Sequence, residues 1–292
     1  MEIRYHTTCL LCGGKNIKPL KGYEKHDLLK CSECSFVFMR RIPTDEELDS
    51  YYSDYGYDDD NIPEPTRTSL NDLVDTFGQY RRNNKILDVG CGEGWMLEIA
   101  KMKGWEVYGT ELSSRSIEIC KTKGIKIYAG VLNPEKMDVG EFDIVVSSQT
   151  FEHINNPNEE ISNINKLLRK GGLFYITTPN FNSYLRFILK EKYDIIVYPE
   201  HLTYYTKRTL NKLLKQNGFK KIKLMTFGIS LTHFQNSVGE GKPKIKKSMT
   251  ADERLRKRIA NSLWLQFIKK KVNSVLTYLG VGMTLKGYYT KK

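Results

Sequence analysis

Three sets of residues carry spacing that chemistry would require. The first is the run Ile86-Leu-Asp-Val-Gly-Cys-Gly-Glu-Gly94, followed seventeen positions later by Glu111. Alternate glycines after an apolar strand give a turn in which main chain can approach a ligand closely, and Asp88 stands at the strand's end where a carboxylate orders such a turn. Glu111 closes the next apolar run, Trp105-Glu-Val-Tyr-Gly-Thr-Glu111, the position from which nucleotide sites hold ribose hydroxyls. The second set is a pair of histidines, His153 and His201, each in a loop after a predicted strand, where an imidazole can accept a proton near neutral pH. The third is Cys9-x-x-Cys12 and Cys31-x-x-Cys34, eighteen residues apart. Two such pairs at this spacing predict a closed tetrahedral zinc site that stabilises a fold and has no open position for chemistry; a disulfide pair or buried free thiols are the competing readings. Cys91 and Cys120 have no such spacing and read as loop or core residues.

The elements that position these residues follow from periodicity. From Lys85 onward strands and helices alternate as in βαβ units, so the expected fold is α/β, a doubly wound, Rossmann-like sheet of seven strands. The predicted strands are Ile86–Val89, Trp105–Glu111, Ile125–Ala129, Phe142–Ser148, Leu173–Thr178, Phe219–Phe227 and Met283–Tyr289. Helices are predicted over about 69–81, Trp95–Lys103, Asn158–Arg169 and Thr206–Asn217, the second, third and fourth each closed by glycine. The expected domain division is a zinc ribbon at 1–42, a linker with N-terminal helices at 43–84, and a catalytic-type domain at 85–292 with insertions at about 180–205 and 241–281. Tyr51–Tyr57, four tyrosines among acids, reads as a linker packed on the neighbouring domain or as a lid.

The formal charge of +12 is unevenly placed. Residues 241–292 hold 14 Lys and Arg against 2 acids, while residues 1–240 balance at 32 of each sign. That distribution argues against a protein that grips nucleic acid with its whole face. In the basic segment Leu255, Ile259, Leu263, Ile268, Val272, Val275, Leu276 and Leu279 recur at helical steps; the expected outcome is a helix capping the domain with a basic solvated side, and peripheral contact with an anionic membrane is the other reading. No run reaches the ~18 apolar residues of a membrane span and the start lacks a signal-peptide layout, so the expected location is the cytoplasm.

The pattern D-x-G-x-G-x-G with an acid after the second strand resembles motif I of class I S-adenosylmethionine-dependent methyltransferases. Gln149-Thr-Phe-Glu-His-Ile-Asn-Asn-Pro157 is similar to the E-H-x-x-x-P motif of the ubiquinone-biosynthesis and type 11, 12 and 23 groups. Tyr198-Pro-Glu-His-Leu-Thr-Tyr-Tyr-Thr-Lys-Arg-Thr-Leu210 resembles the segment that follows the fifth strand in relatives acting on surface sugars and small molecules, several of which also begin with paired cysteines. The resemblance covers Cys9 to about Phe227. It implies S-adenosylmethionine as cofactor, with Gly90 and Gly92 beside its methionine part, Glu111 as ribose clamp with Leu112 next to it, and Ser148 and Gln149 near the cofactor. Glu152 and His153 would border the methyl group, with His153 or His201 as proton acceptor and Tyr204 or Tyr205 in the acceptor pocket. Many family members carry an acid soon after the third strand for the adenine; here Val131 or Leu132 offers only backbone or apolar contact. The implied reaction is methylation of a hydroxyl or carbon of a sugar, lipid-linked or quinone-like small molecule. An RNA methyltransferase holding phosphates with ribbon and basic segment is a second reading, although the five lysines between Gly13 and Lys30 are diluted by leucines and acids. A non-catalytic zinc-ribbon adaptor is a third, disfavoured by the complete Asp88, Gly90, Gly92, Glu111 set.

Overall fold

The computed structural model describes residues 3–53, 62–229, 255, 258–259 and 262–292. The N-terminal module contains β1 (Arg4–Tyr5), β2 (Ile17–Pro19), β3 (Leu28–Cys31), β4 (Val37–Met39) and β5 (Arg41–Ile42), followed by α1 (Asp45–Ser53) and α2 (Glu64–Phe77). Alternation then sets in: β6 (Lys85–Val89), α3 (Trp95–Met102), β7 (Glu106–Glu111), α4 (Ser114–Thr122), β8 (Lys126–Ala129), β9 (Phe142–Ser148), α5 (Pro157–Leu167) and β10 (Leu168–Pro179). After α6 (Tyr184–Leu189) and a short β11 (Thr203–Tyr204) come α7 (Lys207–Gln216), β12 (Phe219–Phe227), α8 (Leu263–Leu279) and β13 (Thr284–Lys291). Most of the Tyr51–Tyr57 segment lies outside the described residues.

The seven-stranded sheet has the order β12-β13-β10-β9-β6-β7-β8. Strands β8, β7, β6, β9 and β10 run parallel, and β13 enters antiparallel between β10 and β12. Central strands β6 and β9 are buried almost throughout because both faces are covered. The period of two divides their residues: Ile86, Ile144 and Leu173 face α2, α3 and α4, whereas Leu87, Val145 and Phe174 face α5 and α7. One charge is buried deliberately at the sheet's amino end. Asp143 accepts from Arg169 Nε at 2.5 Å and from the backbone N–H groups of Arg82 and Asn84 at 2.8 Å each, which ties the entry of β6 to β9 and holds the carboxyl below its ordinary range despite burial.

The N-terminal sheet has the order β11-β4-β3-β2, so its fourth strand comes from the segment after β10. Thr203 pairs with Phe38 and Tyr204 with Val37, and Met39 N–H donates to Leu202 O. Phe36 stacks on Phe38 and meets Tyr205, which in turn meets Phe151, so aromatic packing runs without a gap from the cysteine module to the sheet.

Candidate active site

The carboxyl ends of the parallel strands gather both candidate sets. On the β6 side, the N–H groups of Gly90 and Cys91 donate to Thr110 O at 3.0 Å, which folds the glycine turn over the end of β7. Glu111 completes it: Oε2 accepts from Gly92 N–H at 2.8 Å and Oε1 from Leu112 and Ser113 N–H at 2.8 and 2.9 Å. Gly92 has φ +54° and open space where a Cβ would project, the shape needed for a ligand lying on main chain. Gly90, at φ +70°, serves a different purpose, because a Cβ there would stand 2.6 Å from Thr150 Cγ2 and push away the loop after β9. Asp88 is buried, its Oδ1 has no hydrogen-bond partner, and burial, reinforced by the neighbouring Glu111, raises its carboxyl well above the usual range. A buried acid without a partner at this point suits the ammonium group of an amino-acid-bearing cofactor, and the open face of Gly92 suits its body. Leu112 and Val131 are exposed along the same rim, Val131 by 75%.

The loop after β9 bridges the two sets. At the end of β10 successive residues point to opposite sides, and the structure uses both. Thr177 Oγ1 meets Ser148 Oγ at 2.9 Å and Gln149 Nε2 at 3.1 Å, fixing Gln149 in its left-handed conformation at φ +55°. Thr178 donates to Glu152 Oε2 at 2.8 Å. No spacing in the sequence marks the Thr177-Thr178 pair; two hydroxyls closing a buried parallel strand are its local signal.

Glu152, His153 and His201 bring their polar side-chain atoms within 4.8 Å of one another. The two imidazoles meet edge to face at 5.0 Å, and His153 Nε2 lies 3.9 Å from Glu152 Oε1. Burial drives the Glu152 carboxyl up to about 8, so it is protonated at neutral pH. Burial, then the neighbouring His201, drives His153 down to about 3 and keeps it neutral. His201 Nδ1 sits 2.6 Å from Ile195 O; a carbonyl only accepts, so Nδ1 carries the proton and Nε2 is the basic nitrogen.

A cavity of about 190 Å³ adjoins these groups, walled by Gln149, Glu152, His153, Tyr193, His201 and Met283. A larger groove between α2 and α3, lined by Arg67 and Met102, lies away from these groups. The acceptor-pocket expectation for Tyr204 and Tyr205 is corrected by the structure: both are buried in packed aromatic clusters, and Tyr193 lines the cavity instead. The histidine loop is held from the N-terminal side. Leu202 N–H donates to Glu152 O, Thr203 Oγ1 donates to Phe151 O, and Tyr198 Oη donates to Glu47, itself paired with Arg41.

The cysteines converge at the far end of the same module. Cys9 and Cys34 sulfurs are 3.5 Å apart, Cys12 and Cys31 sulfurs 3.7 Å, and all four lie within 4.8 Å. Zinc–sulfur bonds of about 2.3 Å in a tetrahedron require sulfurs about 3.8 Å apart, so the four thiols fit that ion.

Residues 64–224 match the family described as a methyltransferase domain. The chain belongs to the class I S-adenosylmethionine-dependent methyltransferases. Relatives of this methyltransferase include the ubiquinone biosynthesis O-methyltransferases of Pelagibacter ubique, 34% identical over 119 residues (38% of this chain, 50% of the relative), and of Bartonella bacilliformis, 33% identical over 150 residues (47% and 60%). The chain spans about half the length of the curated relatives it matches. Among solved structures, an S-adenosylmethionine-dependent methyltransferase from Archaeoglobus fulgidus superposes with TM-score 0.54 at 19% identity, covering 84% of this methyltransferase and 99% of that chain. A sarcosine dimethylglycine methyltransferase from Galdieria sulphuraria gives 0.52 at 16%, covering 78% and 85%. Both likenesses are likenesses of fold.

Proposed function

We propose that this methyltransferase transfers the methyl group of S-adenosylmethionine to an oxygen of a small acceptor, a quinone-like, lipid-linked or sugar hydroxyl. The observation that carries the reading is the partly open cavity beside Glu152, His153 and His201, reached from the same strand ends that carry the glycine turn. The names of the ubiquinone-pathway relatives support a hydroxyl acceptor.

When bound, the sulfonium supplies an already activated methyl group, so the protein's task is alignment, exclusion of water and removal of one proton. Asp88 and Gly92 hold the amino-acid end of the cofactor, Glu111 its ribose, and the rim of Leu112 and Val131 its adenine. Gln149, pinned by Thr177, lines the acceptor cavity next to that pocket. His201 takes the acceptor's proton at Nε2 while Ile195 O fixes its ring. His153 and protonated Glu152 stay neutral, so no second charge competes for the acceptor. Cys9, Cys12, Cys31 and Cys34 hold a structural zinc.

The test is transfer of labelled methyl from S-adenosylmethionine into a cell extract, followed by RNase treatment and organic extraction. Label in the small-molecule or lipid fraction is the expected result. Label lost only to RNase would replace this reading with methylation of RNA.

A further inference from the structure

Helix α8 has two apolar faces, and only one is used by the fold. Half-buried Leu265, Ile268, Val272 and Leu276 turn toward β12. Polar bonds lock that orientation: Thr226 Oγ1 donates to Leu276 O at 2.7 Å, Thr277 Oγ1 to Thr226 O at 2.6 Å, and Gly228 N–H to Asn273 Oδ1 at 3.1 Å. At about 100° per residue, Trp264, Phe267, Lys271, Val275 and Tyr278 fall within an arc of about 80° whose centre lies about 100° round the helix from that row. The structure leaves that stripe in solvent, with Trp264 69% and Tyr278 89% exposed and the Lys271 ammonium 5.4 Å from the Phe267 ring centre. Solitary exposed apolar residues are ordinary, but an aromatic row along a helix about 25 Å long marks an interaction surface.

We infer that this stripe docks α8, lying flat, on an anionic membrane surface. Charge complementarity selects that occupant. From Arg254 to Lys292 the chain has ten Lys and Arg and no acid, and Lys270 and Lys271 lie beside and within the stripe. Trp and Tyr place an apolar ring and a polar atom together at the headgroup level, and lysine stems reach from there to lipid phosphates. Among the described residues no helix is long and apolar enough to cross a bilayer, which leaves surface attachment as the mode. The surface also meets the active site. Helix α8 ends at Gly280, whose carbonyl, with that of Gly282, accepts from Asn180 Nδ2, and the next residues, Met283 and Thr284, line the cavity. Docking would therefore set the cavity beside the lipid, a consequence that rests on the acceptor reading, whereas the docking does not.

The experiment is co-sedimentation of the full chain with phosphatidylcholine vesicles containing or lacking about 30% phosphatidylglycerol, read together with tryptophan emission. Trp105 is buried, Trp95 half-buried and Trp264 exposed, so the part of a blue shift that reports on the stripe is the part lost on Trp264→Ser. The expected result is binding to the anionic vesicles with a blue shift, at least tenfold weaker in the triple variant Trp264→Ser, Phe267→Ser, Tyr278→Ser, and weaker also in Lys270→Glu, Lys271→Glu. The serine variant should keep its S-adenosylmethionine affinity and melting temperature, which separates this test from that of the acceptor. No binding to anionic vesicles, binding unchanged by the serine substitutions, or a stripe covered in a dimer that the same substitutions dissociate would each overturn the inference.

Discussion

The two halves of the active site are assembled by opposite means. The proposed cofactor side is made from one short piece of chain: Asp88, the glycine turn, Thr110 and Glu111 lie within 24 residues and are joined by hydrogen bonds at the ends of two adjacent strands. The acceptor side draws on the N-terminal module, the loop after β9, the end of β10, the segment before β11 and the start of β13. What a short turn dictates tolerates change elsewhere in the molecule, whereas a cavity lined by four segments and braced by the N-terminal module depends on each contact between them. Damage to the distant cysteines should therefore spare one half and disable the other.

Substitutions can break or sharpen that contrast. His201→Ala should lower kcat by about 10²–10⁴ in the labelled-methyl assay while leaving S-adenosylmethionine affinity by calorimetry within about twofold. A comparable loss of cofactor affinity would mean the two halves are not separable. Cys31→Ser should bring zinc content, measured by metal analysis, close to zero and reduce transfer about 100-fold, because the strand that pairs with β11 then loses its anchor. Its cofactor affinity should fall less than about threefold, and an equal fall in both would erase the distinction. Glu111→Ala should do the reverse, weakening cofactor binding about tenfold, near 1.4 kcal/mol, with an unchanged acceptor KM.

The remaining effect is a pH slope. Burial raises Glu152 to about 8 from an ordinary 4.5, so the folded state binds a proton that the unfolded chain has released between those values. Stability from this group is complete below about 4.5 and is lost as pH rises through 8. Glu152→Gln keeps a group able to accept from Thr178 and cannot titrate. Melting temperature should then fall less steeply from pH 5 to 8 than in the parent protein; parallel curves would contradict the protonated state.

The same contrast explains what the sequence discloses. The glycine turn, its two acids, the strand rhythm and the paired cysteines are local patterns, and each reads as spacing. Neither the pairing of Phe38 with Thr203 nor the burial of Tyr204 and Tyr205 has a local cause, since both arise from packing between segments far apart in the chain. Helix α8 shows a subtler limit. The apolar recurrence predicts a helix, but it merges two stripes: Ile268, Val272 and Leu276 turn inward, while Val275 turns out. Asn273 and Thr277, through bonds to Gly228 and Thr226, help decide which row faces the sheet.

The pairing of β4 with β11 also bears on how the protein is made. Phe38 leaves the ribosome 165 residues before Thr203, so β4 must wait with one edge unpaired while the nucleotide-binding core is synthesised. An open strand edge invites pairing with another chain, and a growing polypeptide exposes it for as long as translation takes to reach the missing strand. Slowing synthesis between these points should make the nascent chain aggregate, and a chaperone able to shield that edge should rescue its yield.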